Sequence, residues 1–386
     1  MYTIEATYRV VTPLFAGGAD QRSTVEIRPT AFKGVLRFWY RAVTLPFYGG
    51  ELQKVKEKER ELFGSTDGQA SFMLKLETVT SPGEPIPKGT KWETPGSAYL
   101  GYGVIGGNRD SRQVETSRPC LKEGFSFTVT LAMPRQKAES ADTAGLKRAL
   151  IALGLFGGLG SRSRKGFGSL ALESLVEKGK EIWTAPGNVE ELRAKIQELF
   201  RDMRLGNALP EYTAFSGQSR VAVWPSSSGA LELLDEVGRE MVRYRSYGQR
   251  VRDKRIILDG ETPNQIFWDD HDLVRDVITG QEINSHPRRV VFGLPHNYRM
   301  SGKTVKVEPE SRKLQRRGSP LFIHIHRLTS GNAAVFTFLP AKFLPGEEKI
   351  QISVVKGKTV TVDQNVDYGV IHDFIDRFPN RLEVLP

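Results

Sequence analysis

The 386 residues contain a single cysteine, Cys120. One thiol excludes an intramolecular disulfide and any zinc site or cluster built on several cysteines. No apolar run approaches the roughly 18–20 residues that a membrane-spanning helix needs. The opening MYTIEATYRV has neither the basic start nor the apolar stretch of a signal peptide, so a cytoplasmic protein with no membrane contact is expected. The string GxxxxGK[ST] of a phosphate-binding P-loop does not occur. Gly166–Gly168 with Ala171 satisfies GxGxxA, but it follows a predicted helix and precedes a predicted strand, the reverse of a dinucleotide site. Carboxylates are missing from two long segments, 28–50 and 154–169. Their absence directs attention to the cations there.

Lysine and arginine number 55 against 45 acids, a net charge of +10. Such an excess suits a polyanionic partner, RNA or DNA foremost. Hydrophobic residues at 39% are enough to form a core, and the length suits two or three domains.

Residues 2–11 alternate, with Ile4, Ala6, Tyr8 and Val10 on one face, which predicts a half-buried strand. A loop punctuated by Pro13, Gly17, Gly18 and Pro29 leads to a helix over 30–43 with Phe32, Leu36, Trp39 and Val43 as its apolar stripe. A charged helix over 51–63, strands at 70–79 and 125–133, a helix over 141–156 and a strand at 166–176 follow. Strand, helix, strand, strand, helix, strand is the ferredoxin-like order, which RNA-recognition motifs share. The sequence thus predicts an α+β protein of two ferredoxin-like (RRM-like) domains with insertions. The first spans 1–176 and is interrupted at 80–123 by a proline- and glycine-rich segment expected to protrude as a hairpin. A connector and linking helix occupy 177–204. A second, decorated domain spans 205–386, with a strand at 221–224, helices over 231–247 and 271–279, strands at 290–292, 321–328 and 333–339, and a last helix over 366–378.

Two segments carry the chemistry. In RPTAFKGVLRFWYRA, Lys33, Arg37 and Arg41 recur every four residues. On a helix they drift about 40° per step and line one side, a row matched to successive phosphates. In GLFGGLGSRSRKGFGS, glycines that include Gly157, Gly158 and Gly160 surround Ser161, Arg162, Ser163, Arg164 and Lys165. Glycine lets a backbone approach a ligand and offer its N–H groups, and Phe167 offers a ring for base stacking. The alternatives are a solvated basic helix face and a flexible connector.

These segments, with TPLFAGGADQ, ELFGST, FGLPHNYR and RRGSPLFIHIHRL, resemble the CRISPR-associated RAMP superfamily, and within it most closely the subunit-one family of the type III-B Cmr effector complex. The resemblance implies two ferredoxin-like domains and an RNA-binding role in an antiviral ribonucleoprotein. In that role the chain holds the 3′ portion of the guide crRNA and its target RNA duplex beside neighbouring RAMP subunits. It places Lys33, Arg37, Arg41, Arg22 and the loop 157–168 at RNA-facing positions, and makes 80–123 the counterpart of a hairpin that wedges into the guide–target duplex. Filament-forming relatives cut target RNA with an aspartate in the loop after the first strand. Asp20 occupies that loop, but in the setting GGADQ of a subunit not thought to cut, and with no nameable partner for proton transfer. No catalytic residue, metal or cofactor is therefore expected. The alternative is a RAMP-type endoribonuclease cleaving target or precursor RNA.

Other clusters have bland readings beside functional ones. Arg243, Arg245, Arg250, Arg252, Lys254 and Arg255 interleave with Tyr244 and Tyr247, as single-stranded RNA sites do and as helix C-termini do. Arg312, Lys313, Arg316 and Arg317 mark a basic loop. His324 and His326 share a strand face without a third ligand. Asp269, Asp270, His271 and Asp272 suit a helix start. His296 and Tyr298 form a ribonuclease-like pair that spacing alone does not support.

Overall fold

The computed structural model describes residues 1–18, 20, 23–107, 114–311 and 313–385; Arg22 and Arg312, singled out above, lie outside them. Strand β1 (Tyr2–Val10) buries alternate residues, with Ile4, Ala6, Tyr8 and Val10 fully enclosed. Helix α1 (Pro29–Phe47) opens on a proline in its first turn, where no N–H is needed. It buries Phe32, Leu36, Trp39 and Val43 and runs one turn past the expected end. Helix α2 (Leu52–Phe63) and strand β2 (Met73–Thr80) follow. The segment after β2 holds the short helix α3 (Pro95–Leu100) and the strands β3 (Ile105–Gly107) and β4 (Val114–Thr116). Then come β5 (Ser126–Met133), α4 (Arg135–Ser140), α5 (Thr143–Phe156), β6 (Leu170–Glu177) and β7 (Lys180–Thr184). The sheet runs β2-β5-β1-β6-β7, antiparallel at every pairing. Asp142 caps α5 through the Gly145 N–H at 2.8 Å and accepts the Tyr40 and Tyr48 hydroxyls, tying α1 to α5.

Helix α6 (Val189–Phe200), capped by Asn188, leads to β8 (Arg220–Ser226) and α7 (Ala230–Arg245). A ribbon of β9 (Gln249–Val251) and β10 (Lys254–Ile256) precedes α8 (Trp268–Thr279). The chain continues through β11 (His296–Met300), β12 (Lys303–Pro309), β13 (Leu321–Leu328) and β14 (Gly331–Phe338). It ends with β15 (Ile350–Val354), β16 (Thr359–Val362), α9 (Gly369–Asp376) and β17 (Leu382–Leu385). The principal sheet here is β13-β14-β8-β17, and β11-β12-β15-β16 forms a satellite sheet. With the satellite set aside, β8, α7, β13, β14, α9 and β17 repeat the spatial strand order 2-3-1-4 of the first half. The expected strand at 290–292 is instead a 3-10 turn over 288–292. The Asp270 carboxylate takes the Arg288 and Arg289 N–H groups, so those donors are lost to any ladder.

Strand β13 explains how the halves join. Phe322 and Leu328 pack with the α1 and α5 core, whereas Leu321, Ile323 and Ile325 pack with α7 and α9. A strand enclosed on both faces reads as a continuous apolar run, here interrupted by the buried His324 and His326 and by the exposed Arg327 near its end. The layers are therefore first sheet, α1 and α5, second sheet, α7 and α9.

Within the segment 80–123, β3 and β4 pair antiparallel, and the described part around them packs into the second half. Trp92, Leu100, Val104 and Ile105 are buried in the α7 core, and α3 lies directly on α7. A Cβ on Gly238 would sit 2.1 Å from the Gly96 carbonyl oxygen, so the two backbones touch where side chains are absent.

Candidate nucleic-acid interface

The two cationic segments meet. Gly34, Val35, Phe38 and Trp39 of α1 line a groove of about 180 Å³ with Gly157, Gly158, Ser163, Arg164 and Phe322. The row Lys33, Arg37 and Arg41 lies on the adjoining flank. There Lys33 and Arg37 border an open basin of about 760 Å³ whose other wall is residues 63–70, which overlap the end of the ELFGST segment. Arg37 pairs with Glu59 of α2, and Arg41 stands 3.8 Å from the same carboxylate. The row is thus partly neutralised from its own side. Lys33 keeps its amine 5.5 Å from the Phe72 ring centre, its pKa lowered by burial and then by Arg37.

The loop after α5 is pinned from both sides. Ser161 and Gly168 donate their N–H groups to the Phe15 and Pro13 carbonyls, and Leu159 donates to Gly168. On the other side the Ile323 N–H of β13 donates to Arg164 O. Several N–H groups expected to face phosphate are therefore spent inside the fold. The glycines serve close packing: a Cβ on Gly157 would meet Trp39 Nε1 at 2.5 Å, and one on Gly160 would meet Phe15 O at 2.5 Å. Gly160, with φ +80°, also needs the left-handed region. Phe167 is 0% exposed, wedged between Phe15 and Trp92. It offers no face for base stacking; its place beside the aromatic core of the insertion decides that.

Arg164 lies over the Phe322 ring at 4.5 Å and the Phe38 ring at 5.3 Å, and donates to Ser319 O. Burial, then the neighbouring Arg317, lowers its pKa to about 10. Arg162 is exposed, its pKa lowered by partial burial and then by Arg316, which puts Arg316 of the basic loop beside the glycine-rich loop. The Lys165 amine is buried, 5.7 Å from the Phe292 ring centre. Burial, then Arg245, pulls its pKa down to about 7.

The histidine pair is a strut between the halves. His324 Nδ1 bonds the Gly157 carbonyl at 2.8 Å, and its Nε2 lies 3.2 Å from His326 Nδ1. Both rings are buried, and burial holds the His324 pKa at about 4. Among the described residues no three His, Cys, Asp or Glu side chains gather as a metal site would need. Asp20 bonds Ser23 Oγ, a local loop contact. Sequence reasoning missed Gly34, Val35 and Phe38. A glycine inside an amphipathic helix was the available signal, since it costs about 1 kcal/mol relative to alanine and a Cβ there would meet nothing within 4 Å.

Residues 7–171 match the RAMP superfamily model. The chain is 28% identical over 194 residues to the CRISPR system Cmr subunit Cmr1-2 of Pyrococcus furiosus, covering 46% of this chain and 98% of that one. Against Cmr1-1 of the same organism it is 24% identical over 251 residues, 62% of this chain and 70% of the relative. The crystal structure of Cmr1 from Pyrococcus furiosus in its apo form superposes with a TM-score of 0.57 at 19% identity, covering 100% and 99% of the two chains. A chain of the Type III-B Cmr-beta bound to cognate target RNA gives 0.51 at 12% identity, with 98% of each covered. These two likenesses are of fold. The first half of the chain thus carries a RAMP superfamily region, and the chain as a whole is similar to Cmr1 subunits of CRISPR systems.

Proposed function

We propose that the protein is a cytoplasmic RNA-binding subunit of a type III-B Cmr ribonucleoprotein. It holds the 3′ portion of the guide crRNA and its paired target beside neighbouring RAMP subunits, and makes no cut itself. In this reading 1–176 and 205–386 are two ferredoxin-like domains joined through 177–204, with 80–123 inserted in the first. The chain's likeness to a subunit of an RNA-bound Cmr assembly supports it, as does the net charge of +10. The observation that carries it is the meeting of α1 with the glycine-rich loop in one groove. A strand tracking that groove places phosphates against Lys33, Arg37, Arg41, Arg162 and Arg164, with the α1 backbone approachable at Gly34. The glycines contribute the shape of the wall rather than an array of free N–H groups.

The test is the salt dependence of binding to single-stranded guide RNA. Replacing Lys33, Arg37 and Arg41 with alanine weakens binding across sequences alike, and flattens the slope of log K against log salt by about 0.7 per lost phosphate contact. Unchanged affinity and slope reject the assignment. Incubation with guide and complementary target checks the rival reading: defined products that vanish in Asp20→Asn would make the chain a nuclease.

A further inference from the structure

A second basic cleft lies away from α1, where the end of α7, the start of α8 and β11 converge beneath Tyr99 of α3. Its volume is about 220 Å³, and Arg245, Arg289 and Arg299 all line it. Arg289 is 7% exposed. Its Nε bonds Asp270 at 2.8 Å and its Nη1 bonds Arg245 O at 3.0 Å. Its Nη2 is buried with no partner among the described residues, as are Arg245 Nε and both ring nitrogens of His271. Asp270 offsets the charge of Arg289, whereas Arg245 and Arg299 make no salt bridge among the described residues. Asp270 also accepts the N–H groups of Arg288 and Arg289, and the Tyr298 hydroxyl approaches it at 3.4 Å. Arg245 and the buried Lys165 amine both face the Phe292 ring behind the wall.

Buried donors left without acceptors are costly, and cations more so. Several of them aimed into one cavity call for an anion. The histidines agree, since burial and then the neighbouring arginines hold His271 down to about 3 and His296 well below its usual value. The walls carry two stacked ring pairs: Tyr247 on His271 at 3.6 Å and His296 on Tyr298 at 4.8 Å. Flat aromatic surface beside guanidinium forks is the combination that holds a nucleotide, its phosphate on arginine and its base against a ring.

We infer that this cleft is a binding site for the phosphate group of a nucleotide, seated on Arg245, Arg289 and Arg299 with its base against the half-buried His296 ring, since Tyr247 is already covered by His271 and by Arg255 at 3.7 Å. The site stands whether or not the α1 groove binds RNA. The full chain is titrated calorimetrically with inorganic phosphate, AMP, and a trinucleotide with or without a terminal phosphate. Arg245→Gln and Arg299→Gln serve as variants, because both leave the Arg289–Asp270 pair in place and Arg299 is exposed. The expected result is saturable binding of AMP that falls about tenfold in each variant, while the variants keep the wild-type melting temperature. A phosphorylated trinucleotide bound more than about tenfold better than its hydroxyl-ended form identifies a strand end as the source, whereas AMP bound better than either identifies a free nucleotide. No binding of any phosphate-bearing probe by the wild type, or undiminished binding in both folded variants, overturns the inference.

Discussion

Gly34 poses the sharpest question among single residues. It sits in the middle of α1, exposed, with open space where a side chain would go, so packing gives no reason for it. If a ligand backbone approaches there, Gly34→Ala raises the urea midpoint by the equivalent of about 0.5–1 kcal/mol yet lowers RNA affinity. A variant that is more stable and binds RNA equally well counts against the groove. Phe167 makes the opposite point. Its sequence setting among arginines and glycines invites a stacking role, whereas its burial beside Phe15 and Trp92 makes it core. Local sequence reports which residues are cationic or aromatic. Which of them reach solvent depends on partners more than a hundred residues away, such as Phe322 against Phe38.

At the level of elements, much was readable because it is local. The alternation of β1 and the apolar stripe of α1 rest on periodicity, and both elements form where the pattern puts them, α1 running one turn further. The insertion was not readable in the same way. Its prolines and glycines suggest an exposed hairpin and give no sign that Gly96 and Gly238 let α3 and α7 touch backbone to backbone, a match visible only with both helices in view. Gly238→Val forces the helices apart and destabilises the protein by about 1–3 kcal/mol. Hydrogen exchange then shows faster opening of 95–100, and unchanged protection there contradicts the close-contact account. The open face of the first sheet is also informative. The aromatics Tyr2 and Tyr8 of β1 and Phe127 of β5 are buried. The opposite face of β1 carries Thr7, bonded to Thr128, and Arg9, paired with Glu173. The stacking platform of an RNA-recognition motif is therefore absent from β1 and β5, which leaves the helical side as the RNA-facing candidate.

Across the whole molecule, the two halves are locked through β13, and the lock contains titratable groups. His324 is held neutral, with a pKa of about 4 against an ordinary 6.5, while it bonds Gly157 O. His326 is shifted in the same direction. The unfolded chain binds these protons first, so the stabilisation is complete above about pH 6.5 and is lost as pH falls toward 4, on the order of 3 kcal/mol for His324. Urea midpoints measured between pH 7 and 4.5 should fall, and His324→Asn should flatten that slope. A pH-independent wild type contradicts the buried-neutral assignment. The same contact carries mechanical meaning, because the loop that forms one wall of the groove is held in place by the second half. The sequence shows the two histidines on one strand face. It does not show that the face is turned toward the first half.

In the proposed function, guide RNA runs between α1 and the glycine-rich loop. Photo-crosslinking of the assembled complex, with 4-thiouridine placed along the 3′ portion of the guide and the attached peptides mapped by mass spectrometry, tests it most directly. Crosslinks concentrated in 29–47 and 157–168 are the predicted result; crosslinks confined to the open face of the first sheet, at β1, β5 and β6, would contradict it.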